Sequence, residues 1–138
     1  MSNLHFQIIQ VGHRCQSSVK ATLASLSRQT YKRWNLTYID DGSTDQTGAE
    51  VKKYSTMYGL SDRVKLKTLP EHKGFAAGAW ISLNALRTQS DQLEGQQIVV
   101  LMDGLHRFSH DRALERIAKA YDGGWAVVWG KWRDREGM

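Results

Sequence analysis

Short apolar runs alternate with helical periodicity nearly five times along this chain, and that alternation limits the fold more than any single motif does. "HFQIIQV" (5–11) reads as a strand, and Ser17 or Ser18 is placed to cap a helix reaching Gln29, with Val19, Leu23 and Leu26 at helical spacing. "WNLTYID" (34–40) reads as a second strand. Residues 45–58 read as a helix, with Val51, Tyr54 and Tyr58 on one face and Gly59 as its stop. "VKLKTL" (64–69) alternates with period two, as a half-buried or edge strand does. Residues 75–87 carry Ala76, Ala79, Trp80, Leu83 and Leu86 at helical spacing. "QIVVLM" (97–102) is a continuous apolar run, the pattern of a central parallel strand covered on both faces. A helix from Ser109 to Tyr121 turns Leu114, Ile117, Ala118 and Tyr121 inward, and "WAVVWG" (125–130) reads as a last strand. The expectation is an α/β fold: a mainly parallel sheet with helices on both faces.

Such a sheet binds ligands at the carboxyl ends of its strands, near a topological switch point. The segments that follow the first four strands are "GHRC", "DDGSTD", "PEHKG" and "DGLHR". Polar, charged and glycine residues therefore collect along one predicted edge, and a site is expected there. The Trp125, Trp129 and Trp132 cluster reads as core or interface rather than as a sugar platform.

The 138 residues suit a single domain, 1–138, with one core. A net charge of +5 favours anionic partners, but the cations are scattered, as at Lys32, Arg33, Lys52, Lys53, Lys65 and Lys67, and read as a solvated surface. Neither a nucleic-acid-binding signature nor zinc-ligand spacing is present, so no nucleic-acid partner is expected. Cys15 is the only cysteine, the N-terminal residues lack a leader pattern, and no apolar stretch has the length of a membrane span. A cytoplasmic location is the expectation.

"IDDGSTDQT" (39–47) closely resembles the second-strand motif of glycosyltransferase family 2, whose members use nucleotide-diphospho-sugars on a GT-A fold. The resemblance extends through "TLASLSRQTYKRWNLTYIDDGSTD" (22–45), "EHKGFAAGAW" (71–80) and "VVLMDGLHRF" (99–108), and spans Phe6 to Gly130. It implies that Asp41, with Asp40 beside it, recognises the nucleotide base, where a carboxylate accepts an imide N–H in a charge-assisted hydrogen bond. It also implies that the "QVGHR" turn (10–14), including Val11, flanks the base through its backbone, and that Lys73 approaches the nucleotide as a counter-charge to phosphate. Asp103 matches the first carboxylate of the family's DxD motif, near the ribose and a Mn²⁺ or Mg²⁺ ion. A UDP-sugar is the first expectation for the donor and a GDP-sugar the second.

The chain departs from the family pattern in two places. Leu105 stands where the second DxD carboxylate is usual, and a hydrocarbon side chain cannot bind a hard cation. His106 either replaces the lost ligand, with Asp103, or contacts the diphosphate directly alongside Arg107. The family also places its general base and acceptor-binding elements beyond the fifth strand, and nothing around Asp134 and Glu136 matches them, so the catalytic base is unknown. The leading expectation is an inverting transfer of a sugar from a nucleotide-diphospho-sugar to a glycan, lipid or protein acceptor. The alternatives are a non-catalytic nucleotide-sugar-binding module and a different α/β nucleotide-binding domain; the lack of a Gly-rich phosphate loop argues against P-loop and dinucleotide-binding versions. An exposed apolar edge near "WAVVWGKW" leads to the expectation of a homo-oligomer.

Overall fold

The computed structural model describes residues 3–89, 92–93 and 95–122. Eight elements alternate: β1 (Leu4–Gly12), α1 (Gln16–Ser27), β2 (Trp34–Asp40), α2 (Thr47–Met57), β3 (Val64–Thr68), α3 (Phe75–Thr88), β4 (Gln96–Asp103) and α4 (Ala113–Asp122). The sheet order is β3-β2-β1-β4, and every pairing is parallel. From β1 the chain steps outward twice, to β2 and β3, and then returns past β1 to lay down β4. Right-handed crossovers put the helices of the outward steps on one face and the helix of the return step on the other. The topological switch point therefore falls between β1 and β4.

Period-two alternation divides β1 between two cores. Leu4, Phe6 and Ile8 face the larger one, with Val19, Leu23 and Leu26 of α1, Val51 of α2, and Leu114 and Ala118 of α4. Ile9 and Val11 face the smaller one, with Ile39, Leu69, Ala79 and the partly buried Ile81, Leu83 and Leu86. A buried glutamine joins the ends of α1 and α4. Gln29 Nε2 donates to the carbonyl of His110 at 2.8 Å, and its Oε1 accepts from the Leu114 N–H at 3.1 Å.

The structure corrects several expectations. Among the described residues β4 pairs only with β1, and Val99 and Leu101 on its α3-side face are 41% and 47% exposed, so that face lacks the cover expected of it. A continuous apolar run signals that both faces need cover, and here α3 covers β1 and β2 but stops short of β4. Trp80 points away from the core and is 64% exposed; the helix instead presents the small residues Gly78, Ala79 and Ser82 to the sheet. Cys15, not a serine, occupies the N-cap of α1, with no side-chain cap bond. α4 begins at Ala113 rather than Ser109. The expected strand 125–130 and its tryptophans lie outside the described residues. Among the described residues, no helix is long and apolar enough to cross a membrane.

Candidate functional site

All four strand-end loops lie along the carboxyl edge of the sheet, and the backbone stitches them together. The Asp41 N–H donates to the Gly12 carbonyl at 2.8 Å, and the Gly104 N–H to the Val11 carbonyl at 2.8 Å. Arg14 N–H reaches Ser43 Oγ at 2.9 Å, and Cys15 N–H reaches Thr47 Oγ1 at 3.0 Å. The fully buried Gln10 donates from Nε2 to the carbonyls of Asp103 (3.1 Å) and His106 (3.0 Å), and Thr22 Oγ1 donates to the same His106 carbonyl at 2.9 Å. The turn after β4 is thus held from below by β1 and α1. A Cβ at Gly104 would lie 2.6 Å from Gly12 Cα and 2.8 Å from Cys15 Sγ, so this close crossing of two loops requires glycine. Beneath it the buried Tyr38 hydroxyl has no hydrogen-bond partner among the described residues, and burial, reinforced by the nearby acidic groups, pushes its phenol up.

The two neighbouring aspartates diverge. Asp40 faces the α2 side, where Oδ1 accepts the Ser43 N–H at 3.2 Å and Oδ2 lies close to Gly48. Asp41 is 1% exposed and turns to the opposite side. Its Oδ1 accepts the Lys73 N–H at 2.9 Å; its Oδ2 accepts the Gly74 N–H at 2.9 Å and a hydrogen bond from His72 Nδ1–H at 2.7 Å. Burial disfavours the charged form, but the two amides and His72 outweigh it and hold the carboxyl below its ordinary value of 3.8. Asp41 is therefore the anchor of the loop between β3 and α3.

Above this anchor is a pocket of about 190 Å³ whose walls include Val11, His13, Asp41, His72, Phe75 and Asp103. It opens between the ends of β1 and β4, at the switch point. His13 Nδ1 donates to the Asp41 carbonyl at 2.8 Å, and the His13 and His72 rings stack with centroids 3.9 Å apart and planes 29° from parallel. Leu105 also lines the pocket, and the Leu105 N–H closes a turn onto Asp103 Oδ1 at 2.9 Å. A larger cleft of about 440 Å³ lies among Arg14, Lys20, Asp45, Glu50 and Tyr54, away from Asp41 and Asp103.

Of the residues singled out in the sequence, Val11, Asp41 and Asp103 come together in the pocket. Asp40 faces the other way. Lys73 contributes its backbone N–H to Asp41, while its ammonium lies 3.8 Å from the Glu71 carboxylate. His106 follows the Asp103 turn on the exposed surface, with Arg107 exposed beside it. Among the described residues, no group of three or more His, Cys, Asp or Glu side chains is arranged to hold a metal ion. In the sequence His13 belongs to the "QVGHR" turn and His72 to the "PEHKG" segment. Both stand in strand-end loops, which was the available signal; their contact across two loops was not visible in either segment alone.

The Glycosyl transferase family 2 model matches residues 8–138. The chain belongs to this family. It is 37% identical over 65 residues to EpsE of Bacillus subtilis (strain 168), a match covering 47% of this chain and 23% of that protein. It is 34% identical over 79 residues to the Escherichia coli UDP-Glc:alpha-D-GlcNAc-diphosphoundecaprenol beta-1,3-glucosyltransferase WfgD, covering 57% of this chain and 29% of that protein. The matches thus span about a quarter of these relatives' lengths. Among solved structures, S. aureus TarS 1-349 in complex with UDP-GlcNAc superposes with a TM-score of 0.68 at 23% identity, over 86% of this chain and 31% of TarS. The mannosyltransferase PcManGT of Pyrobaculum calidifontis, in complex with GDP-Man and Mn²⁺, superposes with a TM-score of 0.62 at 20% identity, over 85% and 31%. These likenesses establish the GT-A fold for this family 2 chain.

Proposed function

We propose that residues 1–138 form a single donor-binding unit of a glycosyltransferase that moves a sugar, with inversion, from a nucleotide-diphospho-sugar to a glycan, lipid or protein acceptor. The observation that carries this reading is the meeting of Val11, Asp41 and Asp103 in one pocket at the switch point of a family 2 chain. The donors of the solved relatives, UDP-GlcNAc for TarS and GDP-Man for PcManGT, support a UDP-sugar or GDP-sugar here. In this reading Asp40 braces the base loop from behind. Lys73 and Arg107 put positive charge near the diphosphate when donor binds. A Mn²⁺ or Mg²⁺ ion would draw on Asp103 and His106, with most of its oxygen ligands coming from the diphosphate.

An inverting step needs a base to take the acceptor's proton as its oxygen attacks the anomeric carbon. Asp41 is committed to the loop amides, so we place that base outside the described residues. Leu105 favours a second reading, a module that binds nucleotide-sugar without transferring it. The buried, unpaired Cys15 suits a reducing compartment, and a cytoplasmic location belongs to the same proposal.

Calorimetry against UDP, GDP, UDP-glucose and GDP-mannose, each with and without Mn²⁺, tests the reading. Saturable binding of one nucleotide is the expected result, and silence with all of them would remove the donor site. Release of nucleoside diphosphate in the presence of acceptors would then separate transfer from binding alone.

Self-association is part of the same proposal. β4 is an edge strand among the described residues, and from Gln96 to Met102 it carries no charge, whereas the opposite edge, β3, exposes Lys65 and Lys67. Charges on an edge strand discourage pairing with another chain, so the unprotected edge is the one expected to be covered. Light scattering at tens of micromolar is expected to give at least a dimer, and Leu101→Lys to return it to monomer. A wild-type monomer would contradict this.

A further inference from the structure

We propose that the His13–His72 stack is the wall against which the donor's nucleobase lies, and that Asp41 acts as the positioning residue of that wall. The inference rests on the nucleotide-sugar reading and deepens it by naming the groups that hold the base.

Four observations converge. The first is that Asp41 is already occupied. Its two oxygens accept from the Lys73 and Gly74 amides and from His72, so most of its acceptor capacity serves the loop. The second is that both imidazoles are oriented by that same residue. The Asp41 carbonyl can only accept, so His13 Nδ1 carries a proton toward it; the ionised carboxylate likewise takes its hydrogen bond from His72 Nδ1–H. With one nitrogen of each ring fastened to Asp41, the rings cannot swing independently, and they lie 3.9 Å apart at 29°.

The third observation is that the stack has an open end. The His72 side chain is 55% exposed although its ring is fixed on one side by His13 and at one nitrogen by Asp41. A fixed, partly uncovered aromatic ring is a ready surface for a further planar ring. The fourth is the pocket itself. At about 190 Å³ it falls below the roughly 300–1,000 Å³ of sites that enclose a whole drug-sized ligand. It suits one planar part of a nucleotide, with the remainder extending out along the strand ends. Val11, Phe75 and Leu105 give it apolar walls suited to a stacked heterocycle, and Asp41 and Asp103 add carboxylates to its lining. Stacking tolerates any base, so the pair supplies affinity, and the choice between uracil and guanine falls to edge contacts.

The test is calorimetry with UDP and with GDP on the wild type and on His72→Ala, His72→Phe and His13→Ala, with the thermal midpoint of each variant recorded. Removing an aromatic platform costs about 1–3 kcal/mol per stacked base, so His72→Ala is expected to weaken the bound nucleotide by roughly 5- to 150-fold, and His13→Ala, which takes away the ring behind it, by a smaller factor. His72→Phe keeps a ring but loses the bond to Asp41. Stacked on His13 but no longer aligned by Asp41, it is expected to bind more weakly than wild type and clearly more tightly than His72→Ala. If His72 serves only to hold Asp41 and the loop, phenylalanine would fail as badly as alanine, and that result would overturn the proposal. Wild-type binding that both alanine variants match would overturn it as well. Silence of the wild type with both nucleotides would instead bring down the nucleotide-sugar reading on which it stands.

Discussion

Asp41→Ala is expected to abolish measurable nucleotide binding and to lower folding stability by about 2–6 kcal/mol, because the Lys73 and Gly74 amides lose their buried acceptor, at about 1–3 kcal/mol for each unsatisfied group. The loop between β3 and α3 then has no fastening to β2, and His72 and His13 lose the group that aligns them. Asp41→Asn preserves the shape but replaces one acceptor oxygen by a donor facing amides, so it should recover only part of the loss. Denaturant titration reads the stability, and calorimetry reads the binding. The contribution has a definite pH dependence. The folded-state pKa of Asp41 lies below 3.8, so its stabilisation is fully present above that value and disappears as acid carries the pH down through the folded pKa. Wild type and Asp41→Ala should therefore differ most near neutral pH and converge at strongly acidic pH. A gap that persisted there would mean that the carboxylate charge does not hold the loop.

Gly42→Ala is the second large effect. Gly42 has φ +65°, a conformation that costs a side chain about 1–2 kcal/mol. A Cβ there would also sit 2.3 Å from the carbonyl carbon of Glu71 and the amide nitrogen of His72. Backbone cannot yield as the end of a flexible side chain does, so the loop must shift, at a further ~1–3 kcal/mol. The expected total is about 2–5 kcal/mol, together with at least a tenfold loss of nucleotide affinity, since the displaced segment is the one that carries His72. Denaturant unfolding and calorimetry check the two parts separately. An alanine variant of wild-type stability would mean that the two loops do not pack as described.

Much of the architecture was legible from local pattern. Residues 34–40 and 64–69 identify themselves as strands through their alternation and apolar content, and β2 occupies Trp34–Asp40 as read. The clustering of the strand-end loops followed from parallel topology alone. Less legible was whatever depends on the distance between elements. The β4 segment looks like a strand with two covered faces because composition records the need for cover, not whether α3 reaches far enough to supply it. Trp80 looks like core because hydrophobicity does not say which side of a helix a small-residue stripe has already claimed. Asp40 and Asp41 look like a pair because they are adjacent, yet the pleat sends them to opposite sides. The histidine stack combines residues from two loops, and each segment alone offers only a polar side chain.

The unequal edges of the sheet also determine where any strand-to-strand joining must stop. A sheet open at both margins can add copies without end, and filaments follow. Among the described residues, this one carries Lys65 and Lys67 on its β3 margin and bare aliphatics on its β4 margin. In the proposed pairing, two copies meeting through β4 would leave only lysine-bearing margins outward, so that assembly would close at two and offer nothing for a third to extend.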